Sequence, residues 1–176
     1  MEKQVNLLDS LNDKKRIEIL RKNWMSHDAR SQMAIVREFG WEIGNKLNKK
    51  IIAEMGKVMM HRFVNALNFS KVKNVQDLHD VCLAAMEFYY PRPSMSYEFQ
   101  KVSDDELLGV VKECAVIEQV KRIGMENFYE CGCFAMRSGW YKALNVEIKE
   151  KCLSCMKDGD SECEISLKIK NWGIKK

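Results

Sequence analysis

The stretch Cys152-Leu153-Ser154-Cys155-Met156-Lys157-Asp158-Gly159-Asp160-Ser161-Glu162-Cys163-Glu164-Ile165-Ser166-Leu167-Lys168-Ile169-Lys170 decides how this chain is read. From Cys163 onward, Cys163, Ile165, Leu167 and Ile169 alternate with Glu164, Ser166, Lys168 and Lys170. That period of two is the mark of a strand with one buried face. Ahead of it, Ile148 to Leu153 leads into Lys157-Asp158-Gly159-Asp160, whose Asp and Gly residues favour a turn. The two runs predict a hairpin. Such a hairpin brings Cys152, Cys155 and Cys163 together, and the two-residue gap between Cys152 and Cys155 is common in metal knuckles.

Five of the seven cysteines lie between residues 131 and 163: the three above with Cys131 and Cys133. A closed tetrahedral zinc site needs a fourth ligand, and Cys131 and Cys133 are the candidates. If both lie on one helix they stand about 200° apart around its axis, so only one faces the metal. Four thiolates leave no position for water, which makes the metal structural. Zinc leads, with an iron–sulfur cluster as the alternative. A redox dithiol at Cys152 and Cys155 lacks the strand-to-helix setting that lowers a thiol pKa.

Outward from the hairpin, Met95, Tyr97 and Phe99 alternate with Ser96, Glu98 and Gln100, predicting a strand. Residues 106–114 read as its partner across the turn Ser103-Asp104-Asp105. A helix from about Val116 breaks at Gly124, and another is expected to carry Phe128, Tyr129 and Cys131 through Leu144. Pro91 and Pro93 close the helical half of the chain. There, Asp13 is expected to cap one helix and Ser26 a second, with Gly40 ending it. Trp41 opens a long helix whose apolar positions Ile43, Leu47, Ile51, Met55, Met59 and Phe63 recur every four residues. Gly44 and Gly56 inside it cost stability and suggest close approach of another helix. A further helix runs from about Val75 to Tyr89 with Leu78, Val81, Cys82 and Ala85 inward. Helices first and strands later argue for an α+β fold. The expected organisation is a single domain over 1–176, helical over 1–90 and mixed strand and helix with the metal site over 94–170.

With 176 residues, 46% hydrophobic and 31% charged, the composition is that of an ordinary globular chain able to bury a core without staples. The net charge of +4 is interleaved with acids rather than concentrated on a stripe, which argues against nucleic acid as a partner. No apolar run approaches the length needed to span a bilayer, and the N-terminus lacks the apolar core of a signal peptide. A cytoplasmic protein is expected, with its cysteines reduced.

The segment from Gly124 to Leu167, with GMENFYECG followed by C-x-x-C-x-x-D-G-D-x-x-C-E-I, resembles the 4-vinyl reductase domain family. The same domain serves as the ligand sensor of phenol-responsive transcription activators. In those sensors a zinc is held by one helical cysteine, a Glu and two cysteines around a Gly-Asp turn. The resemblance implies Cys131, Cys152, Cys155 and Cys163 as ligands here, with Cys152 in place of the Glu and Cys133 as the alternative to Cys131. The chain as a whole is similar to small bacterial and archaeal proteins related to aminothiazoline carboxylate hydrolases, through Asn23-Trp24-Met25-Ser26-His27-Asp28 and the cysteine-rich ending. The wider superfamily includes vesicle-tethering subunits with an apolar cavity. What this implies is a mixed fold, an internal pocket for a small apolar or aromatic ligand, and a homodimer.

Three function classes follow. The first is a small-molecule-binding protein with structural zinc, its pocket lined by Trp140, Tyr141 and Arg137, where Arg137 would reach an anionic ligand. The second is a hydrolase acting on a small cyclic amide-like substrate, with His27 and Asp28 as the catalytic pair. An iron–sulfur redox protein is the third reading. His27 and Asp28 also suit a helix start, where Asp28 meets the positive end of the dipole. Neither His61 nor the second His-Asp pair, His79-Asp80, has enough companions for a metal hydrolase.

Overall fold

The computed structural model describes residues 7–173. Among them are α1 Asp13–Ala66, α2 Val75–Tyr89, β1 Met95–Lys101, β2 Glu106–Cys114, α3 Ala115–Arg122, α4 Cys133–Leu144, β3 Val146–Ser154 and β4 Cys163–Trp172. The class is α+β, with four α-helices and one antiparallel sheet in the order β1-β2-β4-β3. The chain divides into two compact units, one ending at Gly44 and one beginning at Asn45.

In the first unit the cap of α1 is Asn12 rather than Asp13: the Asn12 Oδ1 accepts the Lys15 backbone N–H at 2.9 Å. The helix then runs unbroken through Ser26, so no second helix starts there and Asn23 to Asp28 lie in mid-helix. The physical reason is that no glycine or proline interrupts residues 13–39, so continuous i→i−4 bonding outweighs a local serine cap. The interruption comes at Gly40, whose φ of 79° and ψ of 169° are open only to glycine at low cost. Gly44 lets Val36 pack closely, since a Cβ there would stand 2.5 Å from Val36 Cγ2.

The second unit holds the main core. Asn74 caps α2 by accepting the Asp77 N–H at 2.9 Å, and Leu78, Val81, Cys82 and Ala85 are buried as their spacing predicts. Helix α2 packs on β1 and β2, and α4 on β3. Trp140, Met60, Leu78, Leu107 and Leu167 are the largest fully buried side chains. Each such burial is worth about 1.5–3 kcal/mol.

The stripe on α1 does not stay on one face. Met59 and Phe63 are buried, whereas Ile43 and Ile51 are 45% and 51% exposed. A strict spacing of four advances 400° per step, so the stripe turns about 200° between Ile43 and Phe63. Its later end reaches the core, and its earlier end does not.

The glycine expectation holds at Gly56. A Cβ there would run into the Met136 carbonyl oxygen, and one on Gly139 into the Ala53 oxygen and the Lys57 nitrogen. These two glycines let the later part of α1 and α4 touch backbone to backbone, which sets α4 over the sheet.

Sheet register places side chains in rows that share a face: Tyr97, Val111 and Cys163; Phe99, Gly109, Ile165 and Cys152; Leu107, Leu167 and Glu150. Leu107, Ile165 and Leu167 are buried, so this face looks into the core. A carboxylate, Glu150, therefore points the same way as the leucines beside it.

Candidate functional site

Two groups of polar side chains meet at α4. The first gathers at the helix N-terminus. Helix α4 begins at Cys133, not upstream of Cys131 as its sequence suggests. Phe128 and Tyr129 instead form a turn whose backbone N–H groups donate to the Met125 oxygen at 3.1 and 3.0 Å. The buried Asn45 clamps that turn, donating to the Phe128 oxygen at 2.7 Å and accepting from the Glu130 N–H at 3.3 Å. Gly132 is the N-cap of α4, and its lack of a Cβ admits Ile52, whose Cδ1 would stand 2.8 Å from one.

Cys131 is thus outside the helix, and the 200° argument that separated it from Cys133 does not apply. The Cys131 and Cys133 thiols perturb each other: the interaction favours the thiolate on Cys133, lowering its pKa, and raises that of Cys131. Burial pushes Cys163 up to about 12, against the Met156 N–H that donates to its sulfur at 3.2 Å, and Cys155 raises it further. The two pairs feel one another: charge on Cys155 raises Cys131, and charge on Cys133 raises Cys163.

Cys152 stands apart. It is exposed on β3, where its thiol donates to the Ser154 oxygen at 3.3 Å. Burial raises its pKa, with Cys155 and Cys133 adding to the shift. Among the described residues, no group of three or more His, Cys, Asp or Glu side chains is placed to hold a metal ion.

The second group lies one turn further along α4. Arg137 Nε donates to Glu150 Oε1 at 2.5 Å, and the Tyr141 hydroxyl donates to the same oxygen at 2.8 Å. The Arg137 and Glu150 side chains are each only 11% exposed. Arg137 stacks on Phe134, with its guanidinium carbon 4.8 Å from the ring centroid, and its charge favours the Cys133 thiolate. Burial opposes its charge, but the acidic groups around it, Cys133 and Glu150 among them, outweigh burial and raise its pKa. Burial pushes the Tyr141 hydroxyl far up and the Cys82 thiol up to about 12, so both are neutral. Arg137 also lines a cavity of about 30 Å³ with Met86, Tyr97, Phe99, Ile165 and Leu167.

Trp140 is fully buried beneath this group rather than lining the cavity, and its Nε1 has no hydrogen-bond partner among the described residues. Glu150 is the residue that reasoning from sequence missed. Its signal was present: Val146, Ile148, Glu150 and Cys152 alternate along β3, and a charge at an inward position needs a buried partner.

In the first unit, His27 is exposed and Asp28 half-buried on α1. Burial raises the Asp28 carboxyl, and His27 partly offsets the shift. His79 is held by its own neighbour, with its Nδ1 2.8 Å from Asp80 Oδ1.

Residues 9–166 match the family of unknown function DUF6125. The chain belongs to this family. Among curated proteins there is no match. The chain is similar to a solved trafficking protein particle complex subunit 3 from Naegleria fowleri, which is covalently bound to palmitic acid. The two are 16% identical over 93% of this chain and 100% of that one, with a TM-score of 0.61. An H-NOX-family protein, solved to probe heme distortion, is 15% identical over 99% of this chain and 81% of its own, with a TM-score of 0.50. An H-NOX protein from S. oneidensis in its Fe(II)NO state is 14% identical over 74% and 71%, with a TM-score of 0.44. At these identities the first two likenesses are of fold alone. No helix among the described residues is long and apolar enough to cross a membrane.

Proposed function

We propose that this is a cytoplasmic small-molecule-binding protein, of the 4-vinyl reductase sensor type, whose cysteine cluster holds a structural zinc. The observation that supports the reading is that Cys131, Cys133, Cys155 and Cys163, brought in from the start of α4 and the β3–β4 hairpin, perturb one another's thiols. A helix N-terminus favours negative charge, and thiolates suit a soft divalent ion. Zinc would displace the thiol protons, tie the β3–β4 hairpin to α4, and contribute its binding free energy to folding.

Cys131, Cys155 and Cys163 would be three ligands. Pairing favours Cys133 as the fourth, whereas the C-x-x-C spacing favours Cys152. Elemental analysis of protein purified anaerobically without chelator tests the reading. One zinc per chain without visible absorbance is expected, retained by either Cys133→Ser or Cys152→Ser but not both. Iron with sulfide and visible absorbance would replace the reading with that of a cluster protein, and absence of metal would remove it.

Burial of the Asp28 carboxyl beside His27 supports a second reading, a hydrolase of the aminothiazoline carboxylate type. Loss of cyclic-amide hydrolysis in His27→Ala would establish it, and no hydrolysis by the wild type would end it. A homodimer belongs to the first reading. Exposure of Ile43 and Ile51 supports it, and a monomeric mass in light scattering at micromolar concentration would remove it.

A further inference from the structure

Two side chains of the β3–β4 hairpin, neither of them a cysteine, fix the backbone on which Cys155 and Cys163 sit. Asp160 holds Cys155: its Oδ2 accepts the Cys155 N–H at 2.7 Å. The Cys155 carbonyl in turn accepts the Asp158 N–H at 2.9 Å and the Asp160 N–H at 3.4 Å. Gly159, with a φ of 108°, turns the chain so that Asp160 reaches back. In a trans peptide the carbonyl and the following N–H point opposite ways. With the Cys155 carbonyl held inside the turn, the Met156 N–H is aimed away from it, and it donates to Cys163 Sγ at 3.2 Å.

Ser154 holds Cys163. Its hydroxyl donates to the Glu162 oxygen at 2.9 Å and accepts the Glu164 N–H at 3.0 Å, so it grips β4 on both sides of that cysteine. The register shifts between Cys152 and Ser154. A hydroxyl that both donates and accepts bridges the strands where the ladder is disrupted.

Resting on the structural-zinc reading, we propose that Asp160 is a positioning residue: it sets the Cys155–Met156 peptide so that the hairpin presents Cys155 and Cys163 as a preformed half-site for a soft divalent ion. Sulfur donors suit such an ion. Among the described residues no three donors are placed together as a closed site, so the hairpin supplies two ligands and the α4 side adjusts to complete the set. A metal-bound sulfur still accepts the Met156 N–H, so the bond that orients the metal-free hairpin also supports the loaded one. Asp160 acts through the backbone, its carboxylate being engaged by the Cys155 N–H.

The test compares the full chain with Asp160→Ala, Asp160→Asn and Asp160→Glu. Asn keeps a short acceptor for the Cys155 N–H and loses the charge; Glu keeps the charge and misplaces the acceptor. Zinc affinity is read by competition with a chromophoric chelator, with cobalt(II) absorption reporting thiolate ligation. Asp160→Ala and Asp160→Glu are expected to weaken zinc by about tenfold to a hundredfold, as loss of a ligand-orienting bond does. Asp160→Asn should stay within about fivefold of the wild type, the worth of one exposed charge. In metal-free protein, hydrogen exchange at the Cys155 and Met156 amides should be slow in the wild type and Asp160→Asn, and fast in the other two. Asp160→Glu carries the comparison if Asp160→Ala does not fold. Asp160→Asn binding as weakly as Asp160→Ala or Asp160→Glu would make the effect one of charge and overturn the proposal. Exchange that is equal in all the chains also overturns it. If the wild type binds zinc and no variant changes the affinity, this inference fails while the zinc reading stands. If the wild type binds neither zinc nor cobalt, both fall.

Discussion

Around the start of α4 and the β3–β4 hairpin, four cysteines perturb one another's thiols; one turn along α4, Arg137 and Glu150 are buried as an ion pair that the Tyr141 hydroxyl joins. The first group is half-exposed and held by loops and a hairpin, so its geometry can adjust to an ion. The second is locked between a helix and a strand of the core, so its geometry is fixed. Both depend on one element, α4, whose position is set by the backbone contact at Gly56 and Gly139. A single helix thus carries an adaptable site at its end and a rigid one in its middle, because side chains on its second turn are packed against the sheet while those before its first turn are not.

The largest effect is expected where both groups lose their support together. Gly139→Leu puts side-chain atoms into the Ala53 oxygen and Lys57 nitrogen, which are backbone and cannot swing aside. Such overpacking costs about 3 kcal/mol or more, enough to unfold a marginal domain. Circular dichroism should show lost cooperativity, and a native melting curve would mean that α4 is not fixed by this contact.

Next in size is Glu150→Leu. It strands a buried guanidinium, for which about 3–5 kcal/mol is expected in urea denaturation. The double variant Glu150→Leu, Arg137→Leu should recover most of that loss. Failure to recover would place the cost in packing rather than in charge and erase the contrast with the thiol group.

Smaller is Cys155→Ser or chelation by EDTA. Zinc should leave, and the melting temperature should fall by several degrees at least, since bound metal stabilises by mass action. The Arg137 region should keep its near-ultraviolet signal. Loss of that signal on chelation would show the two groups to be one cooperative unit.

The smallest effect is chemical. In zinc-loaded protein, iodoacetamide followed by mass spectrometry should leave the ligand cysteines unmodified, and EDTA should expose them. Cys82, buried and with its thiol pushed up to about 12, should stay unmodified in both states. Labelling of Cys82 before unfolding would mean that the core opens readily.

Where neighbouring residues decide the outcome, the sequence was sufficient. Helix α2, the β1–β2 hairpin and the break at Gly40 all lie where the periodicity, the Asp-rich turn and the lone glycine put them. The helix start near Cys131 did not, because Asn45, far away in sequence, captures the Phe128 carbonyl and the Glu130 N–H. Nor did Ser26 begin a helix, since a capping signal is silent when the helix before it has nothing to stop it. The metal candidates were legible as a cysteine count and spacing. Their pairing was not, because it depends on a loop conformation that only tertiary contacts hold.

By itself, then, the sequence determined α2, the four strands, the α+β class, the hairpin that carries the thiols and Gly56 at the helix crossing, since each rests on interactions within a few residues. Tertiary structure alone decided which residues face one another across elements. It paired Glu150 with Arg137, left Arg137 Nη2 without a hydrogen-bond partner among the described residues, freed Cys131 from the helix and left Ile51 of the α1 stripe exposed. Those outcomes depend on sheet register, on helix rotation accumulated over many residues, and on the desolvation of charges that are far apart in the chain.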